Sequence, residues 1–364
     1  MKYCLRHLTI LVVTSLSVCA QATPGGTAAP VLVPRVITEK TRHDTDDPAI
    51  WINRANPAAS LILGTDKNVD GALYVFGLDG RIQQDKVVRG LTRPNNVDLA
   101  YGVMLGGQRV DLAIVTERYA RRLRAYRLPD MAPVDRGGIP VFEGELARDC
   151  MGIALYTRPS DGALFAIVSR SDYQSPRQGY LHQYRLVDDG AGTLRGVFVR
   201  SFGDWSGIKE IESIAVDNEL GYVYYSDEGY GVRKYLADPQ AEDADEQLGE
   251  FGLTGFAEDR EGISFYKVTA DTGYILVSDQ GANQFQIFTR EGEPGKPHVH
   301  RLLKTVKVAA MESDGSETTS FALGPNFPHG LFVAMSTDRT FHLYSWDDIA
   351  GPDLKIVAPG PAGR

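Results

Sequence analysis

Six copies of one strand pair, spread along nearly the whole chain, limit the fold more than any other feature. The clearest element of each copy is an apolar run: Leu61-Ile-Leu-Gly-Thr, Asp111-Leu-Ala-Ile-Val, Ala163-Leu-Phe-Ala-Ile-Val, Tyr222-Val-Tyr-Tyr-Ser, Tyr274-Ile-Leu-Val-Ser and Leu331-Phe-Val-Ala-Met-Ser. The starts fall roughly 50 to 60 residues apart, which is the period of propeller blades. After a polar loop each run is followed by a strand ending near an aromatic, as in Leu73-Tyr-Val-Phe76, Leu181-His-Gln-Tyr184 and Phe341-His-Leu-Tyr344. Turn pairs such as Asp79-Gly80 and Asp161-Gly162 give the hairpin chemistry between strands.

Each copy is also preceded by a short strand: Asp47-Pro-Ala-Ile-Trp, Asn96-Val-Asp-Leu-Ala, Met151-Gly-Ile-Ala-Leu, Glu212-Ser-Ile-Ala-Val, Glu261-Gly-Ile-Ser-Phe and Ser320-Phe-Ala-Leu-Gly. The first strand of a propeller blade lines the central channel, so polar residues at these strand starts converge on one mouth. The fold class read from this pattern is all-β, a single-domain six-bladed β-propeller over residues 36–355. The stretch 190–205 reads as an outer strand, and the acidic stretch 236–250 as a solvated loop between blades.

Ahead of the propeller, Lys2, Arg6 and His7 precede an apolar run from Leu8 to Val18 and the small-residue stretch Ala20-Gln21-Ala22. Residues 1–22 therefore read as a cleaved export signal, with 23–35 a flexible lead-in and a periplasmic or secreted destination. The apolar run is too short for the ~20 residues of a membrane span. A lipid anchor on Cys19 is disfavoured by Val18 before it. The mature chain keeps one of three cysteines, Cys150, and cannot form an internal disulfide. A net charge of −9 argues against nucleic acid or an anionic membrane as a partner. The mature protein reads as a monomer acting on a small molecule.

Conventional catalytic signatures are missing. Cys150 lacks the arginine that a cysteine phosphatase places six residues on, Arg42-His43 continues into Asp44, and G-x-S-x-G, P-loop and paired-histidine motifs are absent. His43, His329 and His342 read as packing or surface residues. What recurs is carboxylate at the strand starts and adjoining loops: Asp46, Asp47, Asp98, Glu212, Asp227, Glu228, Asp259, Glu261, Asp279, Asp314 and Glu317. Several such groups at one mouth repel unless cations neutralise them, and hard oxygen ligands select calcium or magnesium over zinc. Lys67, Arg118 and Arg170 each follow the second strand of a blade, so three cations from successive blades could face one anion.

Read together, Asp46-Asp-Pro-Ala-Ile-Trp51, Asn95-Asn-Val-Asp98, Gly152-Ile-Ala-Leu-Tyr156, Asp259-Arg-Glu-Gly262, Ser278-Asp-Gln-Gly281 and Leu323-Gly-Pro-Asn-Phe-Pro-His-Gly-Leu-Phe-Val333 resemble the bacterial β-propeller phytases. The resemblance implies a calcium-dependent 3-phytase with several Ca2+ ions, removing phosphate from phytate (myo-inositol hexakisphosphate) by attack of metal-activated water. It implies that Asp46, Asp47, Glu212, Glu228, Asp259, Glu261 and Asp314, with Gln280 as a neutral oxygen ligand, hold metal. Within that set Glu212, Asp259, Glu261 and Asp314 are the catalytic candidates. Lys67 and Arg118 match the family's phosphate-binding cations, and Arg170 is grouped with them. The chain departs from the family at Met151, at Ser171 in place of a lysine, and at Val308-Ala-Ala310. Two other readings stay open on the residues alone: a calcium-dependent lactonase of similar fold, and a propeller that only binds a ligand or protein.

Overall fold

The computed structural model describes residues 30–171 and 174–357, together with Met1. The export signal expected at 1–22 lies outside them, apart from Met1. Among the described residues, helix is confined to Trp346–Ala350 and two single-turn 3-10 segments. Everything else regular is strand, in six sheets of four or five strands, and these are the six blades.

Blade 1 runs through Thr45–Trp51, Leu61–Asp66, Gly71–Gly77 and Val88–Leu91. Blade 2 starts Pro94–Leu105, Gln108–Glu117 and Arg122–Leu128, and blade 3 comprises Cys150–Thr157, Leu164–Arg170, Gln178–Asp188 and Leu194–Asp204. Blade 4 comprises Ile214–Asp217, Tyr222–Asp227, Gly231–Leu236 and Gly249–Phe251. Blade 5 carries Arg260–Lys267, Gly273–Asp279, Gln284–Thr289 and Leu302–Val308, and blade 6 carries Ser316–Thr319, Leu331–Ser336 and Thr340–Ser345.

Two expectations need correction. The inner strand of blade 6 is Ser316–Thr319, and 320–324 belongs to the turn after it, because Thr319 already pairs with Leu331 and the intervening residues include Gly324, Pro325 and Pro328. The acidic stretch 236–250 joins the third and outer strands of blade 4 and does not lie between blades. Arg200 of blade 3 anchors it, donating to the carbonyls of Leu236 and Ala244.

Apolar side chains gather between the sheets in six clusters, one for each pair of neighbouring blades. Leu63 and Val75 of blade 1 meet Val97, Val115 and Tyr126 of blade 2, all buried. Each such side chain contributes about 1.5–3 kcal/mol when fully removed from water. The last cluster joins blade 6 back to blade 1 through Phe341, Leu343, Ile62 and Phe76.

The ring is closed by the segment before blade 1. Val36–Ile37 pairs antiparallel with Thr340–Ser345 and serves as the outer strand of blade 6. Within the stretch expected to be flexible, Val31–Leu32 pairs parallel with Leu302–Val308 of blade 5. Arg35 adds a two-pronged ion pair with Asp348, both contacts at 2.7 Å.

The second strands carry a signal that the sequence reading passed over. Near the mouth end of each stands Thr65, Thr116, Ser169, Ser226, Ser278 or Ser336, all buried. In the first three blades these hydroxyls accept the amides of Asp47, Asn96 and Gly152 at 2.8–3.1 Å. Thr116, Ser226 and Ser278 also donate across to carbonyls of the next blade's inner edge, at Met151, Glu261 and Ser313.

Starting the chain at Thr38 removes both closing strands. The midpoint of thermal unfolding is expected to fall by about 5 °C or more. An unchanged melting curve would show that ring closure does not depend on residues 31–37.

Candidate active site

Four inner strands carry a one-residue bulge at the mouth. The register shifts fall between Thr45 and Pro48, Pro94 and Val97, Cys150 and Ile153, and Arg260 and Ile263. A bulge sets two residues against one and re-aims their side chains. Here the re-aimed pairs are Asp46-Asp47, Asn95-Asn96, Met151-Gly152 and Glu261-Gly262.

Neighbouring strand starts must then approach closely. A Cβ on Gly152 would lie 1.7 Å from the carbonyl oxygen of Glu212, so glycine is required there for the Glu212 backbone to pass. The Gly262 amide donates to the Asp314 carbonyl at 2.7 Å, and a Cβ on Gly262 would meet Ser316 N at 2.7 Å. These contacts set Glu212 and Asp314 in place through the backbone.

The result is a nest of acids. Glu212, Glu228 and Glu261 are all buried and present oxygens within 4.8 Å of one another. Burial, with the charges of Glu212, Glu210 and Asp259, pushes the Glu228 carboxyl up to about 9, against the opposing pull of Lys209. Burial and the same acidic neighbourhood raise Glu261 well above the carboxylate range. Glu212 is raised by burial, an effect that Lys67 opposes. Asp46, fully buried, is raised by burial and by Glu212.

Asn95 ties two members together, donating from Nδ2 to Asp46 Oδ2 at 2.8 Å and to Glu212 Oε1 at 2.9 Å. Lys67 Nζ lies 2.5 Å from Asp46 Oδ1 and 3.2 Å from Asp314 Oδ2. Burial disfavours the Lys67 charge, but Asp46, Glu212 and Asp314 outweigh it and raise its pKa. Gln280 donates to Asp314 Oδ1 at 2.5 Å. Asp259 Oδ2 accepts from Lys209 Nζ at 2.5 Å.

This donor set fits a hard divalent cation. Every charged donor is a carboxylate, and Glu261 Oε2 and Asn95 Oδ1 are buried without a hydrogen-bond partner. Buried acceptors left bare in this way are rare unless an ion or ordered water completes them.

A family model for phytases matches residues 10–351 of this chain. The chain belongs to the phytase family. It is similar to a curated 3-phytase of Bacillus subtilis (strain 168), 28% identical over 340 residues that cover 86% of this chain and 84% of that one. A chain in a solved crystal structure of the mitotic checkpoint complex is also similar, with a TM-score of 0.48 and 8% identity over 93% of this chain and 98% of that one. That likeness is too slight to carry an argument.

Among the residues expected at this phytase-family site, the structure brings Asp46, Glu212, Glu228, Asp259, Glu261, Gln280 and Asp314 to one mouth, with Lys67 among them. Asp47 faces the channel beneath. Its Oδ2 accepts the Val97 amide at 3.0 Å, and it lines a polar cavity of about 170 Å3 with Asp98, Glu317 and Lys267. Burial raises Asp98 to about 6 and Glu317 to about 8.

Arg118 stands at the rim. Its Nη2 meets Ser171 Oγ and lies 3.2 Å from Glu210 Oε1, while Nε has no partner. Arg170 is corrected out of the phosphate-binding set. Its Nε and Nη2 donate to the carbonyls of Tyr180 and Gly179 at 3.0 and 3.1 Å, Nη1 lies 3.3 Å from Glu145, and the guanidinium stacks 4.4 Å from the centre of the Phe142 ring. Fully engaged and 1% exposed, it is a framework residue of blade 3. Cys150 is a buried free thiol pushed up to about 12 by burial. His329 pairs with Asp347 at 2.7 Å, and His342 is buried.

Sequence reasoning named Asn95 only within a motif and omitted Lys209 and Glu210 altogether. Two tests follow from the geometry. Gly152→Ala forces the Glu212 backbone outward, so metal affinity measured by titration calorimetry should fall by about tenfold or more, as expected when a ligand's support is lost. Unaltered affinity would mean that the contact is not needed.

The raised carboxyls also set a pH dependence. Glu228 keeps its proton up to about pH 9 when folded, whereas unfolded it releases it near the ordinary carboxylate value of 4.5. Between those values the folded state holds more protons, so stability is lost as pH rises. In chelator, the unfolding temperature should decline from pH 5 to pH 9, and added divalent cation should flatten the decline. A flat profile without cation would contradict this assignment.

Proposed function

We propose that this member of the phytase family is a calcium-dependent phosphomonoesterase that hydrolyses phytate to lower inositol phosphates and free phosphate. The observation that carries the reading is the buried acid nest with bare acceptor oxygens, flanked on the rim by Lys67 and Arg118. The relative's printed name, 3-phytase, supports the same substrate and reaction class.

Glu212, Glu228, Asp259, Glu261, Asp314 and Gln280 would hold the cations, with Asp46 beside them. Calcium bound there supplies positive charge that screens the acids from a polyanion, polarises phosphoryl oxygens and activates water. The protein's own part is positioning. Asn95 holds Glu212 and Asp46 in fixed orientation through its two donated hydrogen bonds. Lys67 presents a point charge from blade 1, and Arg118 presents a guanidinium from blade 2 whose side chain is 14% exposed. Glu210 and Ser171 fix one end of that fork.

Fixed donors of this kind cost no reorganisation as charge develops, which matters because uncatalysed phosphate-monoester hydrolysis is extremely slow. No side-chain nucleophile is invoked. A lactonase would have no use for two cations poised over the acid nest, and a binding propeller would not require its acceptors to be left bare. The basic, apolar leader supports action after export, in a periplasm or outside the cell.

The deciding experiment is phosphate release from phytate near neutral pH by the purified mature chain, with calcium and again after chelation. Release is expected only with calcium, and to drop by at least about a hundredfold on chelation. Calcium-independent release would overturn the metal assignment, and no release in either condition would overturn the substrate.

A further inference from the structure

We infer that Lys209 is a third substrate-binding cation of this site, contributed by the loop that enters blade 4. The inference rests on the proposed action on a phosphorylated inositol. It identifies a residue outside the three cations expected from the sequence and fills the gap left by Arg170, whose guanidinium is committed to the blade 3 framework.

Three observations converge on Lys209. Its Nζ lies 2.5 Å from Asp259 Oδ2, so the charge stands over the acid nest. Its side chain is 49% exposed, against 15% for Lys67 and 14% for Arg118, so it is the most accessible of the three. Its neighbour Glu210 contacts Ser171 Oγ and Arg118, which places the 209–210 turn directly against the blade 2 and blade 3 rim. The Glu210 carboxylate takes the place beside Ser171 and Arg118, and the Lys209 ammonium reaches the nest from the Asp259 side.

The loop is built to hold that charge still. Trp205 Nε1 donates to the Lys209 carbonyl at 2.5 Å, and Ser206 donates from its amide and hydroxyl to the buried Asp227 at 2.7 and 2.5 Å. Arg177 covers the Trp205 ring at 5.0 Å. On the inner side, Gly229 leaves room for Ile208 and the Lys209 stem: a Cβ there would lie 2.6 Å from Ile208 Cγ2 and 3.6 Å from Lys209 Cγ. The backbone is fixed at both ends while the ammonium stays accessible. With a cation held by Asp259, the ammonium would be available to a phosphate group. Lys67, Arg118 and Lys209 then surround the nest from blades 1, 2 and 4, an arrangement suited to a ring bearing several phosphates.

The test compares Lys209→Met and Lys209→Arg with the wild type in saturating calcium. One readout is steady-state hydrolysis of phytate; the other is direct binding of myo-inositol hexasulfate, which carries sulfate where phytate carries phosphate. Losing one charge-assisted contact should raise KM for phytate and weaken hexasulfate binding together, by about tenfold, with kcat changed far less. Lys209→Arg should restore most of both. Unchanged KM and unchanged hexasulfate affinity in Lys209→Met would overturn the inference. So would a fall in kcat alone, which would make Lys209 a residue that merely holds Asp259. Wild-type protein inactive on phytate but losing hexasulfate affinity on substitution would retain the anion site and reject the phytate reading.

Discussion

Carboxylates crowded out of water impose the condition that the rest of this structure serves. Two unit charges 4.8 Å apart repel by on the order of 3 kcal/mol at an effective dielectric of ~20, and Glu212, Glu228 and Glu261 form three such pairs at that separation or less. Asp46, Asp259 and Asp314 adjoin them. The chain answers partly with Lys67, Lys209 and Asn95, and partly by holding protons on acids such as Glu228. Neither completes the acceptors, and a hard cation satisfies charge and lone pairs together. A metal taken up there would have to displace those protons, so its affinity would rise with pH.

A propeller can sustain that condition because its stability is generated elsewhere. The apolar clusters lie between blades, away from the mouth, and the ring is closed by backbone pairing of Val36–Ile37 with blade 6. Bulges in four inner strands turn polar residues toward the axis without breaking the sheets behind them. The buried hydroxyls of Thr65, Thr116 and Ser169 absorb the amides that the bulges would otherwise leave unpaired. Fold and site are thus joined at a few atoms, and Gly152 shows how closely: its missing Cβ is the space through which the Glu212 backbone passes.

Much of this was legible in the chain because it rests on local chemistry repeated six times. Apolar runs of even spacing mark the second strands, and Asp-Gly pairs mark turns. The acids of the nest were readable because they recur at the same phase of the repeat. The sixth inner strand was misplaced by a few residues because Ser316-Glu-Thr-Thr319 is as polar as a loop, while the apolar Phe321-Ala-Leu323 beside it packs from a turn. Arg170 was misassigned because strand phase reports which end of a blade a residue occupies and not which way its side chain runs. Tyr180, Gly179 and Phe142, distant from it in sequence by up to about thirty residues, decide that.

By itself, then, the sequence determined an all-β ring of six repeats and an acid-rich mouth able to take hard cations, since each depends on residue type and period. Tertiary structure alone decided which acids share the nest and which, like Asp47, look down the channel. It also decided that Arg170 is spent on the framework while Lys209 overhangs the site. Those outcomes turn on bulges, glycine-sized approaches and contacts between blades, and no periodicity along one chain records where two distant backbones come within hydrogen-bonding distance.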